Sequence, residues 1–125
     1  MIRSDLKSRV LVVDDERLIA DTLALILNQK GFETTAVYSG EQAVETAKEI
    51  QPDVLISDIV MGKMNGIEAA ILIAQSIPGC KILLFSGQPA SADLLGLAKS
   101  AGHSFDVLAK PVHPEVLLRL LSVAS

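Results

Sequence analysis

Four short apolar runs in this chain are each followed by a polar group that could do chemistry. The acidic pair Asp14-Asp15 follows Val10 to Val13, Asp58 follows Val54 to Ile56, Ser86 follows Ile82 to Phe85, and Lys110 follows Asp106 to Ala109. If the runs are parallel strands, these groups collect along one edge of a sheet. Three carboxylates converging there would repel one another unless a cation lay between them. A hard divalent ion answers that need. Magnesium, or manganese in its place, prefers oxygen ligands, takes only one or two carboxylates from the protein and keeps waters that exchange for phosphate oxygens. Lys110 and the Ser86 hydroxyl would face the same pocket as donors, an arrangement suited to an anion seated on the metal.

The elements that must position these groups are legible as an alternation of short apolar runs and amphipathic stretches. Besides the four runs above, Glu33 to Tyr38 reads as a strand, and its mixed composition, like that of Asp106 to Ala109, suits a sheet edge. The other three runs are nearly uninterrupted, as in strands buried on both faces. A first helix carries Ile19, Leu23, Ile26 and Leu27 on one face and ends at Gly31, a residue suited to the left-handed position just past a helix. A second begins with Ser39 as N-cap and Gln42 as capping-box partner and stops before Pro52. A third opens with Asn65 and Glu68, turns Ile67, Ala70, Ile71, Ala74 and Ile77 inward, and ends at Pro78-Gly79. A weaker fourth follows Ser91, and a last one has Pro114 in its first turn ahead of Val116, Leu117, Leu120 and Leu121. Regular strand–helix alternation implies a parallel sheet with right-handed crossovers and helices on both faces, a doubly wound α/β fold. Ligands of such sheets bind beyond the carboxyl ends of the strands, at the point where strand order reverses.

Composition bounds the function. The 125 residues carry 15 acidic against 11 basic side chains, a net charge of −4, and are 50% hydrophobic, which reads as a single domain over residues 1–125 with a core of about 9–124. The acidic balance argues against direct nucleic-acid binding, and 3% aromatic content leaves no stacking platform for single strands. No apolar run approaches the roughly 18 residues of a membrane span. The polar start, with Arg3, Asp5 and Lys7, does not resemble a signal peptide, and the single Cys80 fits a reducing, cytoplasmic compartment. Cys80, Met61 and Met64 read as small or core-filling residues, and His103 and His113 have no second ligand at metal spacing.

The ordered set Asp14-Asp15, Asp58-x-x-Met61, Asn65-Gly66, Ser86-Gly87 and Lys110-Pro111 resembles the response-regulator receiver domain, the CheY-like phosphoacceptor module of two-component systems. The resemblance spans nearly the whole chain. It implies a flavodoxin-like five-stranded parallel sheet of order 2-1-3-4-5. It implies that Asp58 takes a phosphoryl group from a sensor histidine kinase or phosphotransfer protein, becoming an acyl phosphate. Asp15 and Asp58 would bind Mg²⁺ directly, Asp14 directly or through water, and the backbone carbonyl of Val60 would add an oxygen. Lys110, before a Pro111 bond that is cis in the family, would pair with one phosphoryl oxygen and Ser86 would hydrogen-bond another. Movement of Ser86 would repack the surface of the fourth helix, fifth strand and fifth helix, which a downstream protein reads. A second copy of the chain is a further partner of the kind the family uses. Phosphotransfer of this type consumes the protein stoichiometrically, so a switch rather than an enzyme is expected.

Three positions depart from the family pattern. Val107 stands where an aromatic switch residue is usual, three before the lysine, although a shifted or bulged fifth strand could bring Phe105 there. Gly62 replaces a common proline, and the segment from Ser86 to Lys110 is slightly long. Other classes fit less well. A haloacid-dehalogenase-type phosphatase needs an Asp where Val60 stands, and a flavodoxin-like FMN carrier would set its phosphate against Asp14-Asp15-Glu16. A pseudo-receiver that only binds proteins is the remaining alternative. The residues do not separate a single-domain regulator from the receiver portion of a longer one.

Overall fold

The three uninterrupted apolar runs become the central strands and the two mixed ones the edges. The computed structural model describes residues 8–61, 65–86, 96, 99, 102, 105–109 and 113–124. Its strands are β1 Arg9–Val13, β2 Glu33–Val37, β3 Val54–Asp58, β4 Lys81–Ser86 and β5 Asp106–Ala109. All neighbours are parallel, in the order β2-β1-β3-β4-β5. Helices α1 (Arg17–Gln29), α2 (Gly40–Ile50), α3 (Gly66–Ser76) and a C-terminal helix (Pro114–Ala124) complete the described elements. Of the helix expected after Ser91, only Gly96 and Lys99 are among the described residues, and both are helical.

Successive strand side chains point to opposite faces, so each apolar run feeds two cores. Val10, Val12, Ile56, Leu83 and Phe85 pack with Ala20, Leu23 and Leu27 of α1 and with Leu117 and Leu121 of the C-terminal helix. Leu11, Val13, Leu55, Ile82 and Leu84 pack on the other side with Ala43 and Ala47 of α2 and with Ile67, Ala70 and Ile73 of α3. Each fully buried Leu, Ile or Phe stabilises the fold by about 1.5–3 kcal/mol relative to exposure.

Helix ends follow the sequence signals with one correction. Gly31 takes the expected left-handed conformation, φ 99°. At α3 the capping box of Asn65 and Glu68 is complete. At α2 only half of the expected box forms. The Ser39 hydroxyl accepts from the Gln42 N–H at 3.1 Å, but the Gln42 side-chain oxygen accepts from the N–H of Tyr38, at 2.8 Å, instead of that of Ser39. The edge strand explains this. The N–H of Glu33 and the carbonyl of Val37 point toward β1 and its flanks, so the alternate residues Thr34 and Tyr38 turn their backbone groups outward. Gln42 satisfies Tyr38, while the Asn28 amide accepts from the Thr34 N–H at 2.8 Å and donates to its carbonyl at 3.3 Å.

Candidate functional site

The reversal of strand order lies between β1 and β3, and both strands end in acid. Asp14 is the first residue beyond β1. Its N–H extends the ladder by donating to the Val37 carbonyl at 3.3 Å, and its fully buried carboxylate accepts from the Glu16 N–H at 2.9 Å. That bond closes a turn which drops the chain into α1 and leaves Asp15 exposed at the rim. Asp58 is the last residue of β3, paired with Phe85 of β4 and only 7% exposed.

The backbone of Asp58 is fixed from three sides. Its register in the sheet is one. The buried Ser57 hydroxyl donates to the Asp58 carbonyl at 3.0 Å, a second. The third is Gly66, whose N–H donates to the Ile59 carbonyl at 2.7 Å and whose α-carbon lies so close to Asp58 that a β-carbon there would collide with the Asp58 carbonyl oxygen. The reading of sequence missed both Ser57 and Gly66 as supports of the site. Gly66 belongs to the Asn65-Gly66 pair of the family pattern, but residue type alone does not show which backbone it approaches.

One carboxylate oxygen from each of Asp14, Asp15 and Asp58 can be chosen so that all lie within 4.8 Å of one another, and among the described residues this is the one group of acidic, His or Cys side chains able to hold a metal ion. The donors are all hard oxygens, two of the three residues are buried, and the third keeps the site open to water. That set fits a magnesium-like ion and is unsuited to a soft metal. Like charges this close repel, and a divalent cation among the carboxylates would offset that repulsion.

The other expected residues are placed as follows. Val60 lies two residues past Asp58, beyond β3, and is partly exposed. Ser86 ends β4, with its backbone opposite Ala109 of β5, so it stands on the same edge of the sheet as Asp58. Lys110, Pro111, Gly62, His103 and Met64 lie outside the described residues. Val107 pairs with Leu84 and is 40% exposed. The ladder from Leu83↔Asp106 to Ser86↔Ala109 is continuous, so no shift or bulge brings Phe105 to the position of Val107. Phe105 instead packs at the opposite end of the strand against the α2/α3 core. His113 is exposed and caps the C-terminal helix through its carbonyl, and Met61 is buried in the core. Among the described residues no helix is long and apolar enough to cross a membrane.

A family profile described as the response regulator receiver domain matches residues 10–122. The chain belongs to the response regulator receiver domain family. This receiver domain is 34% identical over 118 residues to the chemotaxis protein CheY of Thermotoga maritima, covering 94% of this chain and 97% of that one. It is 33% identical over 115 residues to the DNA-binding response regulator MtrA of Mycobacterium tuberculosis, covering 90% of this chain but 48% of that protein. The receiver thus spans about half the length of such curated relatives. Among solved structures it is similar to chemotaxis protein CheY4 of Vibrio cholerae, with a TM-score of 0.81 and 28% identity over 95% of this chain and 99% of that one. The match fixes the fold, strand order and membership in two-component signalling that the residue pattern implied.

Proposed function

We propose that this receiver domain accepts a phosphoryl group onto Asp58 from the phosphohistidine of a sensor histidine kinase or phosphotransfer protein, with Mg²⁺ or Mn²⁺ held by Asp14, Asp15, Asp58 and the Val60 carbonyl. The observation that carries this reading is the convergence of three carboxylates at the switch point, one of them on a backbone gripped by Ser57 and Gly66. An Asp58 oxygen attacks phosphorus, the new O–P bond forms as the donor N–P bond breaks, and the donor imidazole takes up a proton from solvent. The metal, when bound, offsets negative charge on the phosphoryl oxygens. Lys110 pairs with one phosphoryl oxygen and the Ser86 hydroxyl donates to another. The new charge draws in the loop after β4 and repacks the face formed by the fourth helix, β5 and the C-terminal helix, where a downstream protein or a second copy docks. The protein acts in the cytoplasm as a stoichiometric switch rather than an enzyme.

Leu18 suits delivery by a protein. It is 80% exposed in the first turn of α1, three residues past Asp15, a single apolar side chain at the rim of the site that a protein donor would cover. Val107 favours one competing reading, a pseudo-receiver without phosphate chemistry, because the position lacks the usual aromatic. Incubation with acetyl phosphate or phosphoramidate, with Mg²⁺ or with EDTA, followed by intact mass, separates the two. A single Mg²⁺-dependent phosphoryl adduct absent from Asp58→Asn is expected. An adduct retained in that variant would overturn the assignment of Asp58, and no adduct from either donor would favour the pseudo-receiver.

A further inference from the structure

Arg17 occupies the first turn of α1, where the positive end of the helix dipole disfavours a cation, and it follows Asp15 by two positions. Consecutive α-carbons lie about 3.8 Å apart, so the α-carbons of Asp15 and Arg17 are within about 7.6 Å and the long arginine side chain can reach the acidic cluster. It does not go there. Its guanidinium carbon lies 4.2 Å from the centre of the Tyr38 ring, on the β2 side of the sheet, away from β3 and Asp58. Among the described residues the ion pairs are Arg9–Glu33 and Lys81–Asp106, and Arg17 takes part in neither.

Tyr38 is itself held in place. Its hydroxyl donates to the Asp21 carboxylate at 2.6 Å, its N–H donates to the Gln42 side chain at 2.8 Å, and its ring packs on the α1-side core. Arg17 and Asp21 are four residues apart on α1, the spacing at which they would pair with each other. Tyr38 engages both, with its ring under the cation and its hydroxyl on the anion.

We propose that Tyr38 is a positioning residue that holds the Arg17 guanidinium off the Asp14, Asp15 and Asp58 carboxylates and so leaves them to a divalent cation. Released from the ring, Arg17 would divide between Asp21, one turn along α1, and the carboxylates of the cluster, and the share drawn to the cluster would compete with the metal. An arginine fits the ring better than a lysine, because its planar, weakly hydrated head stacks on an aromatic face. This inference rests on the reading of the acidic cluster as a metal site.

The test is Mn²⁺ binding to the full chain, followed by electron paramagnetic resonance, with thermal unfolding recorded for every variant. Tyr38→Leu keeps apolar bulk but removes the ring face, and is expected to weaken Mn²⁺ binding about fivefold, while Tyr38→Phe stays within twofold of wild type. Arg17→Ala is expected to change wild-type affinity by less than twofold, yet to restore the Tyr38→Leu protein to within twofold of wild type. Arg17→Lys, an exposed substitution that does not threaten folding, is expected to weaken binding in the presence of Tyr38. Unchanged affinity in both Tyr38→Leu and Arg17→Lys overturns the proposal. So does a loss in Tyr38→Leu that Arg17→Ala fails to restore, or an equal gain from Arg17→Ala in both backgrounds, which would mark a long-range charge effect. Wild-type binding that is unaffected by Asp15→Asn and Asp58→Asn would instead remove the metal site itself, and with it both readings.

Discussion

Gly66 lies directly against the carbonyl oxygen of Asp58, with no room between the two backbones for a β-carbon. The neighbouring Gly66 N–H to Ile59 carbonyl bond, 2.7 Å long, holds the start of α3 to the same stretch of chain. The residue that begins α3 therefore sets the position of the acceptor strand's end. In an exposed helix interior, alanine in place of glycine would gain up to about 1 kcal/mol. Here the colliding atom belongs to backbone and cannot swing aside, so the steric cost dominates. Gly66→Ala is expected to destabilise the fold by about 2–3 kcal/mol in urea unfolding and to weaken Mg²⁺ binding. A stabilised variant would contradict the close approach.

Leu18 offers a prediction that separates the chemistry from the docking. Its side chain is largely exposed, so Leu18→Ala is expected to change stability by less than about 0.5 kcal/mol. Covering one Leu is worth about 1.5–3 kcal/mol, so phosphotransfer from a histidine kinase that phosphorylates the wild type is expected to slow about tenfold or more. Phosphorylation by acetyl phosphate, which covers no apolar side chain, is expected to be unchanged. Equal losses with both donors would mean that Leu18 supports the site rather than the partner.

Metal binding is expected to appear as stability. An ion that binds only the folded state at ten times its dissociation constant stabilises it by about 1.4 kcal/mol, which raises the melting temperature of a domain this size by several degrees. Mg²⁺ is expected to raise the melting temperature of wild type in this way and to leave Asp15→Asn nearly unchanged. Calcium, which tolerates larger and less regular oxygen cages, provides a control for the fit to a small ion. A melting temperature indifferent to Mg²⁺ up to tens of millimolar would count against the cluster as its site.

Much of this site was legible because its parts sit at strand ends, where a change from apolar run to single polar residue marks a boundary in the sequence itself. Asp14, Asp15 and Asp58 were found that way, and parallel pairing then brings β1 and β3 together. The supports were not legible. Ser57 lies inside an apolar run, and only the fold shows that its hydroxyl turns back onto the Asp58 carbonyl. Gln42 was read as a capping partner of Ser39, but an outward-facing amide of the edge strand competes for the same oxygen. Gln51, left-handed at φ 50° beyond α2, carries no residue-type signal, since that conformation is usual for glycine. Phe105 could be brought to the switch position only by a register change that the regular β4–β5 ladder excludes.

Cys80 provides a prediction with a defined pH window. It is buried beside a cavity of about 260 Å³ lined also by Ala74, Ile82 and Phe105, and its thiol donates to the Lys81 carbonyl at 3.7 Å. Burial, with the nearby charge of Asp53 adding to it, pushes the thiol up to about 12 from an ordinary 9.0, against a smaller opposing contribution from a backbone hydrogen bond at Leu55. Between these two values the folded protein keeps the proton and the unfolded chain releases it. The folded state thus binds more protons there, and stability falls as pH rises. The contribution is complete below about pH 9 and lost as pH climbs toward 12. Cys80 is not the only group whose charge changes at high pH, so the measurement is a difference: the stability of wild type relative to Cys80→Ala, from urea unfolding at pH 8 and at pH 10.5. Wild type is expected to lose ground against the variant at the higher pH. In parallel, a disulfide-exchange reagent at pH 8 is expected to react slowly with the native protein and quickly once it is unfolded, because the thiolate is the reactive form. A fast native reaction at pH 8 would show that the thiol is not held in this way and would reopen Cys80 as a reactive group.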